Sequence, residues 1–174
     1  MKLLLTVAAI LLAIVCFSQA GLNLKWIRLS KKEYTIQLPS SWTIDSSKQM
    51  GTDLILFSML ENATDNFREN VNVLIQHVQG MNMDLDKYTA ISTGQIKKMA
   101  VDSKIELSVR IKIATATYQK MIYTATQGVN KLKFEQYYFI ANNKAYVLTL
   151  TTDVLKFELF KPVGEQILDS FVLK

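Results

Sequence analysis

The sequence of 174 residues has one cysteine, one histidine and two prolines. The cysteine, Cys16, lies in an apolar run near the start, so residues 21–174 carry no thiol. That excludes a disulfide framework, a thiolate metal site and a cysteine nucleophile from this part of the chain. The lone histidine, His77, has no second histidine or thiol with which to build a transition-metal site. With only Pro39 and Pro162, and no Gly/Ser-rich stretch, no linker divides the chain. No sequence period repeats. The formal net charge of +5, one unit of it from Lys2, is too small to argue for nucleic acid as a partner.

What is present begins with a leader. Lys2 is the only charge before Lys25, Leu3 to Phe17 is apolar except for Thr6, and Ser18-Gln19-Ala20 follows. A basic start, an apolar middle and small residues before a cut between Ala20 and Gly21 make a signal peptide over residues 1–20. Two rival readings fit less well. A retained anchor needs about 20 apolar residues, and this run is shorter and ends in Ser-Gln rather than in basic residues. A lipid-modified cysteine favours a small residue before it, whereas Val15 precedes Cys16. The expectation is therefore an exported protein, periplasmic or extracellular, with no stable membrane span once the leader is removed. Residues 21–174 form one domain, long enough to bury a sizeable core. The lack of cysteine points to a bacterial envelope, since small secreted eukaryotic domains often carry disulfides.

Along that domain the apolar pattern has period two, then helical spacing, then period two again. Tyr34, Ile36 and Leu38 alternate into a strand that Pro39 stops. Leu54 to Met59 is an apolar strand, Glu61 to Asn70 a polar loop, and Val71, Val73 and Ile75 one face of a third strand. Leu85, Tyr88, Ile91, Ile96 and Met99 then fall at helical spacing, with Asp84 as N-cap, Met83 and Tyr88 as a hydrophobic staple, and Lys97 and Lys98 in the last turn. Gly94 in the middle of this helix suggests close packing against the sheet.

Four strands follow. The first alternates from Ile105 to Ile113, the second runs from Tyr118 to Gln127 and the third from Leu132 to Ile140. Asn142-Asn143 forms a two-residue turn before the fourth, Ala145 to Thr152. Phe157 to Phe171 reads as a C-terminal helix that Pro162 kinks or delays, its last turn running on to the end of the sequence. The Asn142-Asn143 turn sets Phe139 opposite Tyr146, Tyr137 opposite Leu148, Ile140 opposite Ala145 and Tyr138 opposite Val147. Both faces of that ribbon are apolar, so both must be covered. The expected fold is α+β, an antiparallel sheet of about six to seven strands with a helix on each face.

Four segments carry a family resemblance. Tyr34-Thr-Ile-Gln-Leu-Pro39-Ser-Ser-Trp42, Phe67-Arg-Glu69-Asn70-Val71-Asn72-Val73, Lys144-Ala145-Tyr146-Val147-Leu148-Thr149 and Ile167-Leu-Asp-Ser170-Phe171 resemble, in order, segments of the PsbP-like family. The resemblance implies an α/β/α sandwich and a binding module rather than an enzyme. Its best-known members are extrinsic subunits of photosystem II, a related fold is a Ran-binding factor, and others are bacterial envelope proteins or chaperone-like partners. A photosystem role is not expected here, because the leader is an ordinary export signal and only Gly21 to Glu33 precedes the first clear strand.

His77 shares strand parity with Val71, Val73 and Ile75. It reads either as a general base, which would make the protein a hydrolase, or as a core-margin residue with its polar tip in water. The second reading is favoured, since no Gly-x-Ser-x-Gly elbow is present. Asp84, Asp86, Glu61, Asp65 and Glu69 supply oxygen ligands of the kind calcium takes, and the resemblance makes calcium worth weighing. However, no EF-hand loop is present, and capping or solvated charge accounts for these residues as well. Asn62-Ala63-Thr64 matches a glycosylation sequon, a frequent chance match. Trp42 reads as a loop anchor. A three-residue loop from Thr115 to Thr117 sets Lys112 opposite Lys120, with Arg110 on the same face. Like charges so opposed are destabilising, which makes Arg110, Lys112 and Lys120 a candidate surface for an anionic partner, against the alternative of side chains splayed into water. No catalytic residue, metal or cofactor is assigned. The function expected is that of a non-catalytic accessory protein binding a protein partner in the envelope, the alternatives being a hydrolase using His77 or a carrier of a small apolar ligand.

Overall fold

The computed structural model describes residues 24–174; the expected leader, with Ala20 and Gly21 at its cut, lies outside the described residues. In chain order come β1 (Trp26–Ser30), β2 (Tyr34–Pro39), β3 (Thr43–Asp45), β4 (Thr52–Phe57), β5 (Asn70–His77), α1 (Leu85–Met99), β6 (Val101–Lys112), β7 (Thr117–Gln127), β8 (Asn130–Ala141), β9 (Lys144–Asp153), α2 (Phe157–Asp169) and β10 (Val172–Leu173). Seven strands form one antiparallel sheet in the order β3-β4-β5-β9-β8-β7-β6. α1 covers one face, where Tyr88 packs with Met121, Tyr123, Tyr138 and Val147. α2 covers the other, where Phe157, Ile167 and Leu168 pack with Tyr146, Leu148 and Leu150.

The sandwich agrees with the sequence pattern, but the face under α2 holds more than a helix. β1, β2 and β10 form a separate three-stranded sheet there, whose Tyr34, Ile36 and Leu38 are buried in the core that α2 shares. β1 and β3 had no expected counterpart. Nor does α2 continue to the end of the sequence. It closes at Asp169, and the chain turns out to pair Val172 with Thr35 and Leu173 with Tyr34. α2 starts at Phe157 rather than later, and it contains Pro162.

The local reasons are visible. Asp84 Oδ1 accepts from the Lys87 backbone N–H at 2.7 Å, capping α1 as expected. Asn142 and Asn143 have φ of 52° and 58°, the left-handed pair a two-residue hairpin turn needs. The β8–β9 register follows, with all four expected pairs in place. Gly94 is a correction, because a Cβ built there meets nothing within 4 Å. The glycine that permits close packing is Gly164 of α2, where a Cβ would stand 2.5 Å from Leu150 Cδ2.

The β6–β7 register is also a correction. Lys112 lies opposite Thr117, Arg110 opposite Gln119, and Lys120 opposite Val109. The loop is Ile113 to Ala116, closed by Ile113 N–H donating to the Ala116 carbonyl at 2.9 Å. Matching apolar residues by parity misplaced it because β7 is buried on both faces, with Tyr118 and Ile122 towards α2 and Met121 and Tyr123 towards α1, so either set offers β6 an apolar partner. The shift is odd, so Lys120 faces α2 while Arg110 and Lys112 face α1.

Candidate functional site

The α2 face of the sheet carries a band of aromatic rings. Tyr118 of β7 stacks on Tyr137 of β8 with centroids 4.6 Å apart and lies 5.1 Å from Phe139. Phe139 in turn meets Phe171 at 5.2 Å, and Phe171, just past α2, also touches Tyr34 at 5.0 Å. Alternation along β7 and β8 puts these rings on one face, and the turn after Asp169 brings Phe171 down onto them.

These rings form the floor of a half-open cleft of about 390 Å³. The β6–β7 loop supplies one wall through Ile113, Thr115 and Ala116. The end of α2 and β10 supply the other through Leu168, Asp169 and Leu173. The lining is mostly apolar, and its one ionisable carboxylate is Asp169. Burial, with the nearby Glu135 and Asp169 carboxylates, pushes the Tyr137 hydroxyl far above its ordinary range. Burial followed by Asp169 also raises Tyr118. Both hydroxyls stay protonated and offer neutral donors rather than bases.

Beside the aromatic floor, on the same face of the sheet, lies a largely buried ion cluster. Lys120 Nζ is 2.6 Å from Glu135 Oε1 and 2.6 Å from Glu165 Oε1, and 5.5 Å from the Tyr137 ring centroid. The Glu135 side chain is fully buried, and burial raises its pKa although Lys120 works against the shift. Burial alone would lower the Lys120 pKa, but the two carboxylates outweigh it and hold it raised. The pair ties the sheet to α2. A second lysine does similar work at the other end of that helix. Lys156 Nζ stands 3.0 Å from Glu61, 3.1 Å from Asp65 and 3.8 Å from the buried Glu69. The three loop carboxylates weighed as calcium ligands thus converge on an ammonium.

The remaining expected residues fall elsewhere. Arg110 donates through Nε to Gln119 Oε1 at 3.0 Å and pairs with Asp86 of α1. With Lys112 it lies across the sheet from Lys120, so the three cations do not share a surface, and the like-charge opposition that motivated grouping them is absent. Asp84 is the α1 cap. Trp42 is buried in the α2-side core, as a loop anchor should be.

His77 is exposed at the margin of a shallow polar depression of about 300 Å³. The carboxylates around it are engaged with other partners. Glu33 pairs with Lys144 at 2.6 Å and accepts from Tyr146 Oη at 2.7 Å, while Asp53 accepts from Tyr34 Oη at 2.7 Å. Neither is set to orient the imidazole.

No protein-family model and no curated protein matches the sequence. Solved structures do. The solution structure of cyanobacterial PsbP (CyanoP) from Synechocystis superposes with a TM-score of 0.64 over 90% of this chain and 96% of that one, at 15% identity. The fold is PsbP-like. Two more structures share it. The crystal structure of PA94 from Pseudomonas aeruginosa, a protein of unknown function described as a putative regulator, gives a TM-score of 0.62 at 16% identity, covering 87% and 97% of the two chains. That of LpqN, involved in cell envelope biogenesis of Mycobacterium tuberculosis, gives 0.58 at 8% identity, covering 87% and 92%. At such identities the PsbP-like likeness speaks for architecture alone. In this chain, PsbP-like in fold, no helix among the described residues is long and apolar enough to cross a membrane.

The carrier alternative expects an apolar pocket between sheet and helix, but the residues that line the cleft were not foreseen. Its walls come from three stretches far apart in sequence, which no local pattern joins. The ion cluster did leave a signal: Lys120 shares parity with Tyr118 and Ile122, and Glu135 with Tyr137, so each is a charge on a face that is otherwise buried.

Proposed function

We propose that this protein is a non-catalytic accessory module of the cell envelope, exported by its leader, that holds a small ligand in the cleft beneath α2. The observation that carries the reading is the cleft: about 390 Å³, walled by apolar groups over an aromatic floor, with few polar groups at its margin. Its tyrosines stay protonated and are suited to hydrogen bonding rather than proton abstraction. Of the binding readings, the cleft favours carriage of a small ligand, with an envelope protein as the partner that delivers or receives it. The involvement of LpqN in cell envelope biogenesis agrees in kind. Export rests on the leader pattern of residues 1–20.

The test is to isolate the protein from its own cells without denaturation and identify the small molecules released when it is unfolded. A compound recovered with the native protein, and lost from a variant whose cleft is filled by Ala116→Trp, is the expected result. Recovery of the same compounds from both proteins would overturn the reading. Crosslinking in intact envelopes, followed by mass spectrometry of the captured neighbours, tests for the protein partner.

A further inference from the structure

Resting on the cleft as the binding site, we propose that its ligand joins an apolar or aromatic body to an ammonium head, with the head held at Asp169. Three independent features converge on that class. The first is the floor: Tyr118, Tyr137 and Phe139 line a cavity of a size that admits one ring or a short branched chain. Stacked tyrosines also attract cations through their ring quadrupoles.

The second is the sign of the charge at the rim. Asp169 lines the cleft, its side chain enters no ion pair among the described residues, and no lysine, arginine or histidine lines the cavity. Lys120, which stands beside Tyr137 on the same face of the sheet, is already shared between Glu135 and Glu165.

The third is the backbone. Asp169 is the last residue of α2, so the negative end of that helix points to the same margin, and its last turn carries no basic residue to offset it. A carboxylate, a helix C-terminus and aromatic rings around one small cavity all favour a cation and disfavour an anion of the same shape.

The experiment is a titration of the isotope-labelled protein, followed by backbone amide NMR, with three probes sharing one ring. These are benzyltrimethylammonium, benzyl alcohol and phenylacetate. The expected result is saturable shifts at Ala116, Asp169 and Leu173 with the ammonium, and weaker or no response to the other two. Asp169→Asn, a near-isosteric change at an exposed position, should then weaken the ammonium by about fivefold or more, and Asp169→Lys should abolish it. If benzyl alcohol or phenylacetate binds the cleft as tightly as the ammonium, or Asp169→Asn leaves its affinity unchanged, the ligand class is wrong while the cleft survives as a binding site. If no probe shifts the cleft amides, the cleft reading fails with it.

Discussion

Gly164 of α2 lies against Leu150 of β9 so closely that a Cβ on the glycine would stand 2.5 Å from Leu150 Cδ2 and 2.8 Å from Cδ1. Leu150 is itself fully buried, so it has little room to withdraw. The missing side chain therefore sets how near α2 comes to the sheet.

Gly164→Ala should accordingly destabilise the protein by about 1–3 kcal/mol, because overpacking outweighs the gain in helix propensity. Gly94→Ala on α1 supplies the contrast. Its site is open, and the change should stabilise by about 0.5–1 kcal/mol. Urea denaturation of both variants separates packing from propensity, and a loss at Gly94 equal to that at Gly164 would refute the distinction.

Removing Lys120 should be costly in a pH-dependent way. Lys120→Met leaves Glu135 buried with no counter-charge, which costs roughly 3–5 kcal/mol at neutral pH. Burial already raises the Glu135 pKa, and without Lys120 it rises further. A carboxyl whose folded pKa exceeds its unfolded value of 4.5 loses stability as pH rises through that window. The penalty of Lys120→Met should therefore shrink as the solution is acidified towards that value. Glu135→Gln in the same background should recover part of the loss at neutral pH. Denaturation midpoints measured across the pH range check both statements.

Glu33 should behave in the opposite sense. Its hydrogen bonds from Lys144 and Tyr146 hold its pKa below the ordinary 4.5. A depressed carboxylate contributes stability above the unfolded value, and that contribution disappears as pH falls through the folded one. Glu33→Gln should be less stable than the parent at neutral pH, and the two curves should meet in acid. Curves that stay parallel throughout would rule out this coupling.

Lys156 should control the loop before β5. Lys156→Met removes the ammonium on which Glu61, Asp65 and Glu69 converge. Limited proteolysis should then cut faster within residues 59–68, while hydrogen exchange in β8 and β9 stays protected. Unchanged cleavage of the loop would show that its hydrogen bonds, such as Arg68 Nε to the Ser58 carbonyl at 2.8 Å, suffice to hold it.

Much of the sandwich was legible because its signals are local. Asp84 caps its helix through a contact three residues away, and Asn142-Asn143 fixes the β8–β9 register through its own backbone angles. What escaped depends on distant partners. β3 is three residues long and is a strand only because β4 lies beside it. The β6–β7 register was open because β7 is apolar on both faces, and with it went the grouping of Lys120 with Arg110 and Lys112. The cleft was hidden for the same reason, since Ala116, Tyr137 and Asp169 meet only once both helix and sheet are in place.

The pairing of β10 with β2 imposes an order of events on the growing chain. Residues 34 and 35 are made early, but the residues that pair with them are 172 and 173, with Lys174 N–H donating to the Glu33 carbonyl at 2.9 Å. One edge of β2 therefore stays unpaired until residues 172 and 173 have been made, and the cleft has no second wall until then. A pairing between segments so far apart in sequence forms late in folding, and the β2 edge is exposed to non-native contacts until it does.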